Sequence, residues 1–599
     1  MCGIFFSAIF TSPNDCGLVA QYQDAFSTIS LELRKINAAR GPDAQQMHIM
    51  SLASSSEARD AVSRILDLEF YASELRLRGQ FPVVQPHIRD ENILCWNGEI
   101  FEGLEISSQE NDGCKIFEVL CTLQTPEQIR DLFSSIEGPY AFVFYHKPSC
   151  RLYFGRDPLG RRSLLIHKPS TEAPYLLLSS VSAGANPAYD FAELSTEHIY
   201  SVDLTLLKDA PSMENGLHSS LTRITRGPTV PHHMKRFDKA GMVNATIPPD
   251  DLTILHSLDR VPDHLLKAVD DLIANLDSSV MLQVRDIPDT TMKREGKARV
   301  AVLFSGGIDS TILTFLAHRH IPMDEPIDLL NVAFENPRKI RIQKEGNPGG
   351  VPKRIRNSQP HCKESLQETS EKVPYLVPDR VTGLKELEEL RRVCPGRVWN
   401  FVEINVPYAE SQAARSVVES LMAPGRTVMD LSLALALYFA SRGIGQVKVD
   451  PKADPVPYTS EARVVISGLG SDELLGGYGR HRSVFKTGGW PAVISELQEE
   501  IDRIPTRNLG RDDRVISSHG KETRHPFLSL SVVSFLSALP VHFKMDPRME
   551  VGIGDKMLLR LASRKLGLIE ASGQKKRAMQ FGSHSARMEG EKRGDVELE

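Results

Sequence analysis

The stretch ARVAVLFSGGIDSTILTFLAHRH at residues 298–320 decides the architecture of the larger half of this chain. ARVAVLF reads as a strand, STILTFLAHRH as a helix, and SGGIDS at 305–310 joins them, which makes a strand–loop–helix unit of the α/β type. Gly306 and Gly307 let the backbone approach a ligand closely. The N–H groups of the loop and the helix N-terminus then form a nest that suits an anion such as pyrophosphate. No GK[ST] string follows, so the loop is not of the Walker type.

Working outward, a helical pattern begins near Leu252 and leads into this strand. Residues 336–373 are rich in Lys, Arg, Gly, Pro and Ser with few large apolar residues, and read as a disordered surface insertion. GQVKVDPKADPVPYTSEA at 445–462 reads as a second polar insertion before the strand RVVIS. Residues 1–182 alternate β-rich runs such as ILCW and YAFVFY with turn signals and two amphipathic helical stretches, an α+β pattern. The organisation is therefore a domain at 1–182, a connector at 183–250, a domain at 251–588 and a charged tail at 589–599.

With 599 residues, the chain has enough length for two cores. No apolar run approaches the roughly 18 residues needed to cross a bilayer, and a net charge of −6 with scattered Lys and Arg gives no basic stripe for a phosphate backbone. Neither membrane nor nucleic acid is expected. The eight cysteines have no zinc-type spacing and no disulfide framework, which fits reduced thiols in the cytoplasm.

Cys2 follows the initiator Met, and removal of that Met leaves a thiol and an α-amine on one residue, a nucleophile with its own base. The plainer reading of Cys2 is a small buried hydrophobe in a strand. In ARGPD at 39–43, Gly41 and Pro42 stop a helix and leave Arg40 free to clamp a carboxylate. In WNGEI at 96–100, the Asn97 amide and the Gly98 N–H suit an oxyanion hole, or a plain turn. Asp112 opens a helical pattern, as an N-cap or as a partner for an ammonium.

MCGI, RGPD, WNGEI, an Asp before a helix and FGRDPLG at 154–160 together resemble the class II glutamine amidotransferases. That resemblance implies an Ntn-hydrolase-type αββα sandwich and glutamine as substrate. Cys2 is then the nucleophile, Asn97 and Gly98 the oxyanion donors, and Arg40, Gly41, Asp43, Glu99 and Asp112 the glutamine-binding residues. RRSLL after RDPLG departs from the family's usual continuation.

SGGIDS resembles the signature of N-type ATP pyrophosphatases, and VVISGLGSDELLGGYGRHR at 464–482, ETRHPFL at 522–528 and QKKRAMQFGSH at 574–584 resemble segments of glutamine-hydrolysing asparagine synthetases. The resemblance implies an adenine nucleotide α-hydrolase-like ATP pyrophosphatase domain. Leu303, Ser305, Gly306, Gly307, Asp309, Ser310, Val332, Ser467 and Gly468 are its ATP-binding residues. Asp309, Asp472 and Glu473 are its Mg²⁺ partners, and Lys576, with Lys575 as the alternative, is its catalytic lysine. Leu469 stands where the family has a Glu regarded as the base on ammonia, and Leu cannot accept a proton. The expected activity is an ATP- and glutamine-dependent amide-forming ligase, with aspartate as default acceptor. Alternatives are another carboxylic acid, or a scaffold that recruits partners through the basic insertion around residues 338–356. The resemblance is compatible with a homodimer.

Overall fold

The computed structural model describes residues 2–11, 18–54, 64–227, 237, 239–255, 257–289, 296–335, 375–450, 452–588 and 595–598. The insertion expected at 336–373 lies outside the described residues.

The amino-terminal half stacks two sheets. Among the described residues one has the strand order Ala192–Glu193, Leu165–His167, Tyr175–Ser179, Cys2–Thr11, Ile65–Glu74, Ala44–Ala53. The other runs Leu221–Thr225, His198–Asp203, Arg151–Arg156, Tyr140–His146, Asn92–Gly98, His87–Arg89. Every pairing is antiparallel.

The first strand shows why this becomes a four-layer sandwich. Ile4, Phe6 and Ala8 point into the space between the sheets, against Phe70, Val143 and Phe154. Phe5 and Ile9, on the opposite face by the period-2 alternation, pack with Ile29 and Leu33 of the helix Leu18–Ala38. Outside the second sheet, helices Asp112–Leu120 and Pro126–Ser135 place Ile116, Phe117, Ile129 and Phe133 on Trp96 and Phe142. The second of these helices starts at a capping box made by Thr125 and Gln128. Both faces of each sheet are covered, which is the αββα arrangement.

The segment expected as a connector contributes Ala192–Glu193, His198–Asp203 and Leu221–Thr225 to these sheets. The sandwich therefore extends to Thr225 rather than ending near 182. Ser, Thr and Glu hide the alternation there, and the partner strands that stabilise it lie far away in sequence.

The carboxy-terminal half is built on a seven-stranded sheet ordered Val456–Thr459, Ile444–Val447, Trp399–Val406, Ile327–Phe334, Val300–Leu303, Val464–Ile466, Glu522–Arg524. The last five are parallel to one another, and the first two add an antiparallel hairpin at the edge. The hairpin is the second polar stretch, so that stretch is part of the sheet and not a loop. Edge strands tolerate such polarity because one side faces water. Val300 and Val302 pack on one side of the sheet with Ile312, Leu313 and Leu316, and Ala301 on the other with Leu431, Leu435 and Phe439. Among the described residues no helix is long and apolar enough to cross a membrane.

The charged tail docks at its described end. Val428 N–H donates to Val596 O at 3.0 Å and Leu598 N–H to Arg426 O at 2.7 Å.

Candidate active site: a buried thiol, a phosphate loop and the contact between them

Cys2 begins the central strand of the first sheet, opposite Glu74 in register. Its backbone N–H donates to Asn97 Oδ1 at 3.0 Å, and Gln85 Nε2 lies 3.3 Å from Sγ. Gln85 is itself fixed by accepting from Trp96 N–H at 2.8 Å. The side-chain nitrogen of Asn97 is buried with no hydrogen-bond partner among the described residues, so a donor is held ready near the thiol, as an oxyanion needs. A Cβ on Gly98 would stand 2.7 Å from Tyr140 Cβ and 2.8 Å from Pro139 O, and only glycine fits. Burial pushes the Cys2 thiol up to about 12. A thiol so raised is a poor nucleophile at neutral pH unless a base stands beside it.

Two carboxyl groups near this thiol titrate close to neutrality. Burial pushes Asp112 up to about 7, with Glu99 adding to it and Arg78 opposing. Asp112 accepts from Ile100 N–H at 3.1 Å and Gly113 N–H at 3.0 Å. It is not the N-cap; Asn111 is, accepting from Cys114 N–H. Burial likewise pushes Glu74 up to about 7. Glu74, Arg78 and Gln85 were not legible as site residues, since Glu74 meets Cys2 by sheet pairing and Arg78 and Gln85 reach the site from the loop between the strands Ile65–Glu74 and His87–Arg89.

Three residues expected to hold glutamine also reach across to the second domain, and Arg40 Nε donates to Cys2 O at 3.4 Å as well. Arg40 pairs with Asp513 at 2.7 Å, both buried. Asp43 pairs with Arg463 through Nη2 and Oδ1 at 2.8 Å. Glu99 lies 3.4 Å from Arg524 and 2.8 Å from Arg78. Gly41 is needed for a different reason from a helix stop: the helix ends at Ala38, and a Cβ at Gly41 would lie 2.4 Å from Glu74 N. Arg162 joins the same network, bonding Thr523 O at 3.0 Å and pairing with Glu522 at 2.9 Å. FGRDPLGRR thus builds the domain contact.

SGGIDS makes a glycine turn into a helix N-terminus. Gly306 has φ +75, and a Cβ there would meet Gly383 N at 2.5 Å. Gly307 caps the helix Ile308–His320, and Ser310 and Thr311 hydroxyls donate to Gly307 O at 3.1 and 3.0 Å. The loop opens on a cavity of about 610 Å³. Leu303, Ser305, Gly307, Asp309, Ser310, Val332, Ser467 and Gly468 line it, as do Asp472 and Lys576. Gly306 supports the loop from behind.

At the phosphate end Lys556 stands between two carboxylates. Its Nζ is 2.7 Å from Asp309 Oδ2, 2.7 Å from Asp472 Oδ1 and 2.9 Å from Ser471 Oγ. Lys576 also pairs with Asp472, whereas Lys575 only lines the cavity. Burial acts against it, yet Lys556 and Lys576 hold the Asp472 carboxyl well below the usual carboxylate range. Lys556 went unread in the sequence, though GIGDKMLLR at 552–560 offered a signal: a lone Lys at the start of an apolar helix. Asp379 also lines the cavity, and burial pushes it up to about 7.

The expected metal trio separates. Among the described residues no group of three His, Cys, Asp or Glu side chains could hold a metal, and Glu473 turns to Tyr478, whose hydroxyl donates to it at 2.5 Å. Asp309 and Asp472 remain as a pair whose oxygens are all bonded by Lys556 or Lys576, so an ion that takes one or two carboxylates and completes its shell with phosphate oxygens would share them with those ammonium groups. Leu469 lines the cavity and packs on the domain core. It offers no proton acceptor.

Family models agree with this division, one described as a glutamine amidotransferase domain matching residues 75–183 and one described as asparagine synthase matching residues 486–595. The asparagine synthetase domain-containing protein 1 of Bos taurus is 39% identical, over 87% of this chain and 89% of that protein. The Homo sapiens protein of the same name is 38% identical over 87% and 88%. The glutamine-hydrolyzing asparagine synthetase of Mus musculus is 23% identical over 91% and 80%. This chain therefore belongs to the family of asparagine synthetase domain-containing proteins, with a glutamine amidotransferase domain followed by an asparagine synthase domain.

Proposed function

We propose that the chain is a glutamine- and ATP-dependent amide-forming ligase. The observation that carries this reading is the convergence of Lys556, Lys576, Asp309 and Asp472 below the SGGIDS loop. It is a site for a nucleotide's phosphates in the same chain as a terminal thiol.

In the first half-reaction Cys2 Sγ attacks the amide carbon of glutamine, Asn97 Nδ2 and Gly98 N–H receive the oxyanion, and ammonia leaves. The α-amine of Cys2, exposed by loss of Met1, takes the thiol proton, which the raised thiol pKa makes necessary. Water then releases glutamate. Asp112, partly protonated near neutrality, lies among the groups facing the thiol and is our candidate partner for the substrate ammonium. In the second half-reaction a carboxylate oxygen attacks the α-phosphorus of ATP, pyrophosphate leaves, and ammonia displaces AMP from the acyl adenylate. Lys556 and Lys576 neutralise charge on the departing pyrophosphate. Mg²⁺ held by Asp309 and Asp472 would supply further neutralisation there.

The relatives' names make aspartate the first acceptor to assay. A reducing, cytoplasmic setting suits the thiol. Full-length protein given glutamine, ATP, Mg²⁺ and a suitable acid should yield glutamate, AMP and pyrophosphate. Cys2→Ser should lose the reaction with glutamine and keep it with ammonium. ADP and phosphate in place of AMP and pyrophosphate would overturn the reading.

A further inference from the structure

One wall of the cavity is not used by the nucleotide residues, and it has its own chemistry. Helix Val428–Arg442 faces the cavity with Met429, Leu433 and Leu437. Spacings of four place these on one helix face, an apolar strip about 12 Å long at 1.5 Å per residue. Met429 is 47% exposed, an apolar side chain left uncovered inside a binding cavity.

The cations on this side are already engaged. Arg511 Nη1 bonds Asp430 Oδ1 at 2.6 Å, while its Nε and Nη2 bond Asp512 Oδ1 at 2.9 and 2.7 Å. Two carboxylates on one guanidinium leave the group net negative. Arg507 is held by Glu500 at 3.0 Å. Lys556 and Lys576 are bound at the Asp309 and Asp472 end, Arg560 is held by Asp555 at 2.6 Å, and Lys575 and Arg577 line the cavity from the segment that carries Lys576, Arg577 lying 3.8 Å from Asp379. A second carboxylate on an acceptor lying along this strip would therefore be placed beside Asp430 and Asp512, whose one guanidinium is already shared between them, which is unfavourable in a partly desolvated site.

We propose that the acid activated here has an apolar body and no second carboxylate. Its reacting carboxylate lies toward the phosphate loop, its body lies along Met429, Leu433 and Leu437, and an amine, if it carries one, meets Asp512. This assignment rests on the ligase reading and narrows its substrate away from aspartate.

The test is isotope exchange between pyrophosphate and ATP by the full-length protein with Mg²⁺, across aliphatic and aromatic monocarboxylic acids with and without an α-amine, against aspartate and glutamate. The expected result is exchange with an apolar monocarboxylate at least about tenfold more efficient than with either dicarboxylic amino acid. Asp512→Asn, which leaves Arg511 with one partner, should narrow that ratio. Aspartate exchanging as well as the apolar acids, or no exchange with any apolar acid while ATP binds by calorimetry, would overturn the acceptor assignment alone. Loss of ATP binding together with all exchange would overturn the ligase reading and the assignment with it.

Discussion

Arg40→Met removes a guanidinium that is 1% exposed and bonded to Asp513 at 2.7 Å, while keeping most of the side chain's volume. At an effective dielectric of 20 the gross attraction over that distance is about 6 kcal/mol, and desolvation of the two ions offsets much of it. Removing one partner of a buried pair costs about 3–5 kcal/mol, because the other is left uncompensated. Asp513 would keep Arg162 at 3.5 Å and Ser163 N–H at 3.1 Å, so the low end, about 3 kcal/mol, is expected. That corresponds to roughly 6–12 °C in the midpoint of a domain of this size. Thermal and urea unfolding should show the loss in Arg40→Met, and most of it should be recovered in Arg40→Met with Asp513→Leu, which buries no unpaired charge. The Arg40 strut would be refuted by an unchanged midpoint together with a large rise in KM for glutamine, since that pattern belongs to a residue that grips substrate.

Glu74→Gln tests the raised carboxyl beside Cys2. A buried acid whose folded pKa lies above its unfolded value destabilises the fold as pH rises through the interval between the two, here from about 4.5 to about 7. The variant should therefore gain on the wild type across pH 5–7.5, by up to about 3 kcal/mol, and parallel pH profiles of the two melting temperatures would refute this. Lys556→Met leaves Asp309 and Asp472 without their shared ammonium, and should lower pyrophosphate exchange by about 100-fold or more. An exchange rate within about threefold of wild type would remove Lys556 from the site. Leu469→Glu restores an acceptor for an ammonia proton and should raise amide formation, by up to about 10²-fold if proton removal limits the rate. No change would mean that another group already takes that proton.

The sequence by itself determined both fold classes and the glycine turn into a helix at SGGIDS. The β-rich runs of the first strand needed only period-2 alternation to be read, and SGGIDS carries its meaning locally because a glycine turn and a helix N-terminus are made by adjacent residues. WNGEI was legible for the same reason, since Asn97 and Gly98 share one turn of chain.

Only the tertiary structure decided that Arg40, Asp43 and Glu99 pair across the domains, because their partners Asp513, Arg463 and Arg524 lie more than 400 residues away along the chain. Lys556 and Asp309 are likewise 247 residues apart, and no local pattern says that the two meet. The same holds for Ala192–Glu193, His198–Asp203 and Leu221–Thr225, which are strands because the sheets beside them supply hydrogen-bond partners. Charge pairing and sheet edges are settled by whatever side chain or strand arrives from elsewhere, whereas a turn, a cap or an alternating strand is settled by its own neighbours.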